Sequence, residues 1–338
     1  MNLRLGATAA ALRWSAGAHA ALTDPALSIL IFHRVLARPD PLFPGETDAA
    51  RFDALMGLVA RSFRVVTVGQ ALAELARGRV VPRSLAITFD DGYADNADVA
   101  LPILQRHGLR ATFFVATGFL DGGRMFNDSV IEAVRASPRD ELDLGEFGLG
   151  CLGLRSPAER RAVIDALIPK VKVLPLRERE HALQRLWRAC GEPALPQALM
   201  MRSAQVQQLH AAGMEIGGHT ANHPILARCP NDEARREIES GRDALQRLID
   251  APIEVFAYPN GRPDSDYDER HVRMVRELGF RGAVSTARGA ARVAADPFQL
   301  PRHTPWGRSL ARWSAEFLAN LNQRAFATAG AAQPAGSR

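Results

Sequence analysis

The chain has 338 residues with 42 Lys+Arg against 37 Asp+Glu, a formal net charge of +5. Hydrophobic residues at 47% and charged residues at 23% are globular proportions and exclude a disordered or collagen-like chain. The basic surplus is spread as arginines along the whole chain without a Lys/Arg block, so no nucleic-acid partner is expected.

The first residues are Ala-rich, and Arg13 and His19 interrupt what would be the apolar core of a signal peptide. An amphipathic helical segment over 1–26 is expected instead. Candidate strands follow at 27–32, 64–68, 85–89, 111–115, 214–217, 253–257 and 282–285. Between them, Phe52, Leu55, Met56 and Val59, and then Val99, Ile103 and Leu104, are spaced as on helices. Strands alternating with helices predict an α/β fold with a parallel sheet, and six or seven such units can close into a barrel. The barrel is placed at 27–307. About 123–201 no strand is predicted, while 158–168 and 177–190 read as amphipathic helices, so this stretch is a helical insertion. A C-terminal helix and flexible tail are expected over 308–338.

The longest apolar run, 26–32, is far short of the ~18 residues that cross a bilayer, and no transmembrane segment is expected. Without a convincing signal the cytoplasm is favoured, with export or membrane association as alternatives. Cys151, Cys190 and Cys229 form no CxxC pair, which argues against a disulfide framework or a cysteine metal site. Oligomeric state is not legible.

Strand 85–89 runs directly into Asp90, Asp91 and Gly92. Adjacent side chains on a strand end point in different directions, so one carboxylate can ligate a metal while its neighbour acts as a base. A turn with a helix cap is the alternative. Strand 214–217 leads into a segment holding His219 and His223, four apart. In one helical turn they would project from the same side and grip one ion, and neutral imidazole suits zinc. A pair of surface or capping histidines is the other reading. Together Asp91, His219 and His223 offer one oxygen and two nitrogens, and three protein ligands with an open position are typical of catalytic zinc. No glycine-rich phosphate loop and no GxSxG elbow is present in the required context.

Thr88-Phe89-Asp90-Asp91-Gly92 and His219-Thr220-Ala221-Asn222-His223-Pro224 resemble the first two motifs of the polysaccharide deacetylases, the NodB-homology or carbohydrate esterase family 4 group. Phe256-Ala257-Tyr258-Pro259-Asn260-Gly261 resembles the third. The resemblance implies a distorted (β/α) barrel, often seven-stranded, and a hydrolase that removes N-acetyl groups from sugars of a polysaccharide or glycan precursor. It implies Asp90 as catalytic base and Asp91, His219 and His223 as ligands of a divalent metal, usually zinc, with cobalt or nickel as alternatives. The backbone N–H of Asn260 would hold the oxyanion, with Tyr258 beside it. Many members carry an arginine where this chain has Ala257, and Arg302 is the candidate substitute for orienting the base. His303 lies near the position of the family's final histidine and is the favoured proton donor to the leaving amine, with His33 as the second candidate. Asn127 and Asp128 line the sugar site or cap a helix. Hydrolysis of a non-sugar amide, or an inactive glycan-binding barrel, are the competing functions.

Overall fold

Each of the seven strands expected from the sequence forms in the computed structural model, which describes residues 2–323 and 326–330. They are β1 (Ser28–Phe32), β2 (Arg64–Val66), β3 (Ser84–Phe89), β4 (Thr112–Val115), β7 (Glu215–Gly218), β8 (Val255–Ala257) and β9 (Gly282–Val284). All pair in parallel in the order β1-β3-β4-β7-β8-β9, with β2 against the first half of β3. β1 and β3 are buried along their whole length, which is why they read as unbroken apolar runs rather than alternating ones.

The segment 300–303 fills the gap between the two outermost strands. Leu300 N–H donates to Ala283 O at 2.9 Å on β9, and His303 N–H donates to Ile29 O at 2.8 Å on β1. Six strands and this segment thus form a distorted, curled barrel.

Outside the sheet lie α1 (Asn2–Leu22), α2 (Ala49–Ser62), α3 (Val68–Leu75), α4 (Leu101–Arg106), α8 (Ser203–Ala211), α9 (Asn231–Ile249), α10 (Glu269–Glu277) and α11 (Leu310–Asn322). The periodic residues Phe52, Leu55, Met56 and Val59 form the buried stripe of α2. Asp48 caps that helix by accepting from Arg51 N–H at 2.9 Å, a bond worth about 1 kcal/mol. Phe52 meets Phe32 and Phe89 from the sheet, and Phe89 stacks on Phe113 with centroids 4.7 Å apart. This aromatic cluster lies between sheet and helix, so Thr88 and Asp90, which flank Phe89, turn inward. Helix α1 packs on α2 and α11 through Ala9, Leu12 and Ala16.

The insertion at 123–201 contains α5 (Phe126–Ala136), α6 (Pro157–Lys172) and α7 (Leu176–Ala189). It also contains a two-stranded antiparallel hairpin, β5 (Glu141–Asp143) and β6 (Cys151–Gly153), where no strand was expected. Strands of three residues are too short to show alternation in sequence. Val130, Val134, Leu142, Ile164, Leu167 and Leu186 give the insertion its own apolar core. Part of the tail expected to be flexible, 331–338, lies outside the described residues. Among the described residues no helix is long and apolar enough to cross a membrane.

Candidate active site

The two carboxylates that end β3 are separated by backbone conformation. Asp90 continues the ladder through its N–H to Phe32 O at 2.9 Å, whereas Asp91 has φ 75° and Gly92 φ 91°. A left-handed residue directly after a strand breaks the alternation, so the two side chains diverge. At Gly92 a Cβ would also come within 3.0 Å of Val115 Cγ1.

Asp90 points into the barrel and is gripped by Arg302. Nη1 donates to Oδ1 at 2.6 Å and Nη2 to Oδ2 at 2.7 Å, a bidentate pair with both side chains buried. Arg302 is itself held by Nε donating to Ser285 O at 2.8 Å and Nη1 to Thr88 Oγ1 at 3.3 Å. Burial alone would push the Asp90 carboxyl up. The Arg302 guanidinium, with His219 nearby, outweighs it and keeps the carboxyl below the usual range.

Asp91 faces the histidines. His219 follows β7, and its Nδ1 lies 2.8 Å from Ala257 O. A carbonyl only accepts, so Nδ1 carries the proton and Nε2 presents a lone pair. His223 arrives through a loop rather than the single helical turn expected from the spacing. Thr220 and His223 both have positive φ, 65° and 52°. Thr220 Oγ1 accepts from His223 N–H at 3.0 Å, and Glu237 of α9 accepts from Asn222 N–H at 2.7 Å. Gly241 of α9 lets the loop lie close, since a Cβ there would meet Thr220 backbone at 2.6 Å.

His219 Nε2 and His223 Nε2 lie 3.3 and 3.4 Å from Asp91 Oδ1. Yet that buried oxygen makes no hydrogen bond among the described residues. Tetrahedral zinc with bonds of ~2.0–2.1 Å spaces its ligand atoms ~3.4 Å apart. The three ligand atoms lie within 4.8 Å of one another and form a cluster able to hold a metal ion. Burial pushes the Asp91 carboxyl up, but His219 and His223 outweigh it and bring it well below the usual range. Burial pulls His223 down to about 3, so its ring is neutral, the form that ligates metals. The donor set therefore fits a divalent cation.

The cavity in front of these groups is also lined by His33, Asn127, Lys172, Asn260, Arg262 and Thr286. Asn260 has φ 59° and its carbonyl accepts from Thr286 Oγ1 at 2.8 Å. Its N–H has no hydrogen bond among the described residues. His33 is exposed at the rim after β1. Lys172 comes from the insertion, and nothing in the sequence pattern marked it, Arg262 or Thr286. Asn127 and Asp128 lie in the first turn of α5. Burial pushes the Asp128 carboxyl up to about 7.

Two expected site residues are elsewhere. His303 follows Arg302 on an extended segment, so when Arg302 turns in, His303 turns out. Its ring packs 6.5 Å from that of Phe317 on α11, and burial pulls it down to about 4. The proton-donor role expected for it has no geometric basis. Tyr258 stacks on Tyr267 at 3.8 Å and donates its hydroxyl to Phe298 O at 3.1 Å, away from the cavity. It is a packing residue.

A family model described as polysaccharide deacetylase matches residues 77–141 and 181–283. The chain belongs to the polysaccharide deacetylase family. It is a deacetylase hydrolase. Its fold is shared with Streptococcus pyogenes deacetylase PplD in complex with acetate, at TM-score 0.58 and 18% identity over 89% of this chain and 100% of that one. IcaB from Ammonifex degensii aligns at TM-score 0.55 and 18% identity over 86% and 98% of the two chains. The BpsB deacetylase domain from Bordetella bronchiseptica aligns at 0.51 and 16% over 83% and 98%. No curated protein matches the chain in sequence. The matched segments leave out 142–180, the centre of the insertion.

Proposed function

We propose that this deacetylase is a metal-dependent enzyme that removes N-acetyl groups from sugars of a polysaccharide or glycan precursor. One observation carries the reading: a buried, unpartnered Asp91 oxygen lies between two imidazole nitrogens, beside a second carboxylate that is fully paired. Asp91, His219 and His223 would hold the ion. A divalent cation there, with zinc best suited to two nitrogens and one oxygen, supplies Lewis acidity toward the acetyl carbonyl and the attacking water.

The chain's own groups do the rest. Asp90 is held ionised in one orientation and takes the proton from the water as it attacks. The grip of Arg302 lowers its basicity but fixes its direction, and correct placement contributes more than one unit of basicity. The free N–H of Asn260 donates to the oxyanion as the carbonyl becomes tetrahedral. The leaving amine needs a proton, and the presence of the His33 imidazole on the cavity rim supports it as the donor.

Acetate release from N-acetylglucosamine oligomers, measured with and without added Zn²⁺, Co²⁺ or Ni²⁺, tests the reading. No release by the metal-loaded protein, with glycan binding retained, would mean an inactive barrel. Release from non-sugar amides alone would move the substrate class. His33→Ala should lose most amide turnover while largely keeping hydrolysis of an activated acetyl ester, whose leaving group needs no proton. Equal losses on both would remove His33 from the role.

A further inference from the structure

The two histidines of the metal cluster are not held alike. The His219 ring is oriented from behind, through Nδ1 to Ala257 O at 2.8 Å. His223 Nδ1 is buried and has no hydrogen bond among the described residues. A ligating imidazole is ordinarily aimed by a partner on its other nitrogen. For His223 that task falls to the backbone that carries it, which has a left-handed conformation, φ 52°, and has to be held there.

Most of the bonds that hold it come from the barrel, from α9 or from the loop itself. Thr220 O accepts from Thr117 N–H at 3.4 Å and Ala221 O from Gly118 N–H at 2.8 Å, both in the loop after β4. Ala221 N–H donates to Glu237 O at 3.0 Å, beside the Asn222 and His223 N–H bonds already described. The last carbonyl before His223, Asn222 O, is held from the insertion: Arg179 Nη2 of α7 donates to it at 3.3 Å.

Arg179 is an unusual residue for its position. It shares the buried stripe of α7 with Ala182 and Leu186, where an apolar side chain is expected, and is 6% exposed. Its partners are the Phe126 ring at the start of α5, with Cζ 4.9 Å from the ring centre, and the Asn222 carbonyl. No carboxylate pairs with it among the described residues. Burying a guanidinium without a carboxylate is costly, and packing alone would be served better by an apolar residue. What the arginine adds is the hydrogen bond to the loop.

We propose that Arg179 is a positioning residue for His223: by fixing the Asn222 carbonyl it sets the backbone that aims the imidazole, and so makes the insertion part of the metal site. That His223 meets a metal rests on the reading above; the clamp on its loop does not. Arg179 lies within 142–180, so the site is completed from a stretch that the family model does not match. The sign of its effect sets this role apart from that of a bystander. Arg179 is a cation close enough for its charge to act on His223, and like charges repel. Removing a bystander charge would tighten metal binding; removing a positioning residue loosens it.

The test titrates Zn²⁺ and Co²⁺ into the metal-free full chain and follows hydrogen exchange of backbone 219–224 before metal is added. Arg179→Met keeps an apolar stem on Phe126 and loses the donor. It should weaken metal binding roughly tenfold and speed exchange across 219–224. Arg179→Lys, which keeps the charge and a donor, should recover most of both losses. Unchanged or tighter metal binding in Arg179→Met overturns the proposal, and so does unchanged exchange. If Arg179→Met does not fold, Phe126→Leu, which removes the ring beneath the guanidinium, should shift both readouts the same way by a smaller factor, and no shift overturns the proposal. Wild type that binds no metal, with exchange that rises in Arg179→Met, keeps the clamp and sinks the metal reading.

Discussion

The two ends of the barrel treat a carboxylate in opposite ways. At the N-terminal end, Glu215 opens β7 and is saturated with donors. Thr112 Oγ1 donates to it at 2.7 Å, Thr67 Oγ1 at 3.2 Å, and Gly69 N–H at 3.0 and 3.1 Å to its two oxygens. Gly69 makes this possible, because a Cβ there would lie 2.2 Å from Glu215 Oε1. At the C-terminal end, Asp91 is more deeply buried and has an oxygen with no hydrogen bond. The saturated carboxylate pins α3 to the sheet; the unsaturated one is left for a ligand that the protein does not itself contain. An orphaned atom alone is not a site, however. Among the described residues His303 Nε2 is also buried without a partner, but its ring packs by Phe317 and no second ligand group converges on it. Convergence of several ligand atoms on one orphaned oxygen separates function from imperfect packing.

That contrast can be broken in four ways. His219→Ala should weaken metal binding by at least ~10²-fold, because a three-ligand site has no reserve, and activity should fall to background. Metal titration checks this, and undiminished binding would end the metal reading. Asp90→Asn should lower kcat by at least ~10²-fold with the metal still bound. Joint loss of metal would move Asp90 into the ligand set.

Glu215→Gln faces Gly69 N–H with an amide and should cost about 1–3 kcal/mol of stability by denaturant melt. Its metal affinity should stay unchanged. A shift in affinity would mean the two ends are coupled. The smallest effect concerns His303. Its pKa is depressed in the folded state, to about 4 from 6.5, so its contribution is present above pH 6.5 and lost as pH falls toward 4. Between pH 7 and 5.5 this amounts to about 1 kcal/mol. His303→Phe should therefore flatten the stability profile in that window. An unchanged profile would show that the ring is not buried neutral.

Much of this architecture was legible because most of the strands are buried along their length and bounded by polar turns. All seven were placed within two residues at each end. The Asp90-Asp91 pair was legible for the same reason, as charge directly after an apolar strand. What escaped lacked periodicity. The segment 300–303 closes the barrel with too few residues to show a pattern, although Arg302 was named as the candidate substitute for the arginine that many family members carry where this chain has Ala257. Naming Arg302 and His303 together conflicted with geometry, since neighbours on an extended segment face opposite sides. Tyr258 failed through the same alternation, with its neighbour Ala257 spending its carbonyl on His219. The positive φ of Thr220 and His223 could not be read from residue types that seldom adopt it.

Arg302 and Asp90 stand 212 positions apart, and the arginine sits on the segment that closes the ring. During synthesis Asp90 is made long before its counter-ion. Until 300–303 docks between β1 and β9, Asp90 lacks both the guanidinium that holds its two oxygens and the segment that closes the barrel beside it. Closure of the barrel and the fixing of the Asp90 carboxylate are thus one event, and a nicked chain whose last segment has come away loses the bidentate grip on Asp90 even with β1 to β9 in place.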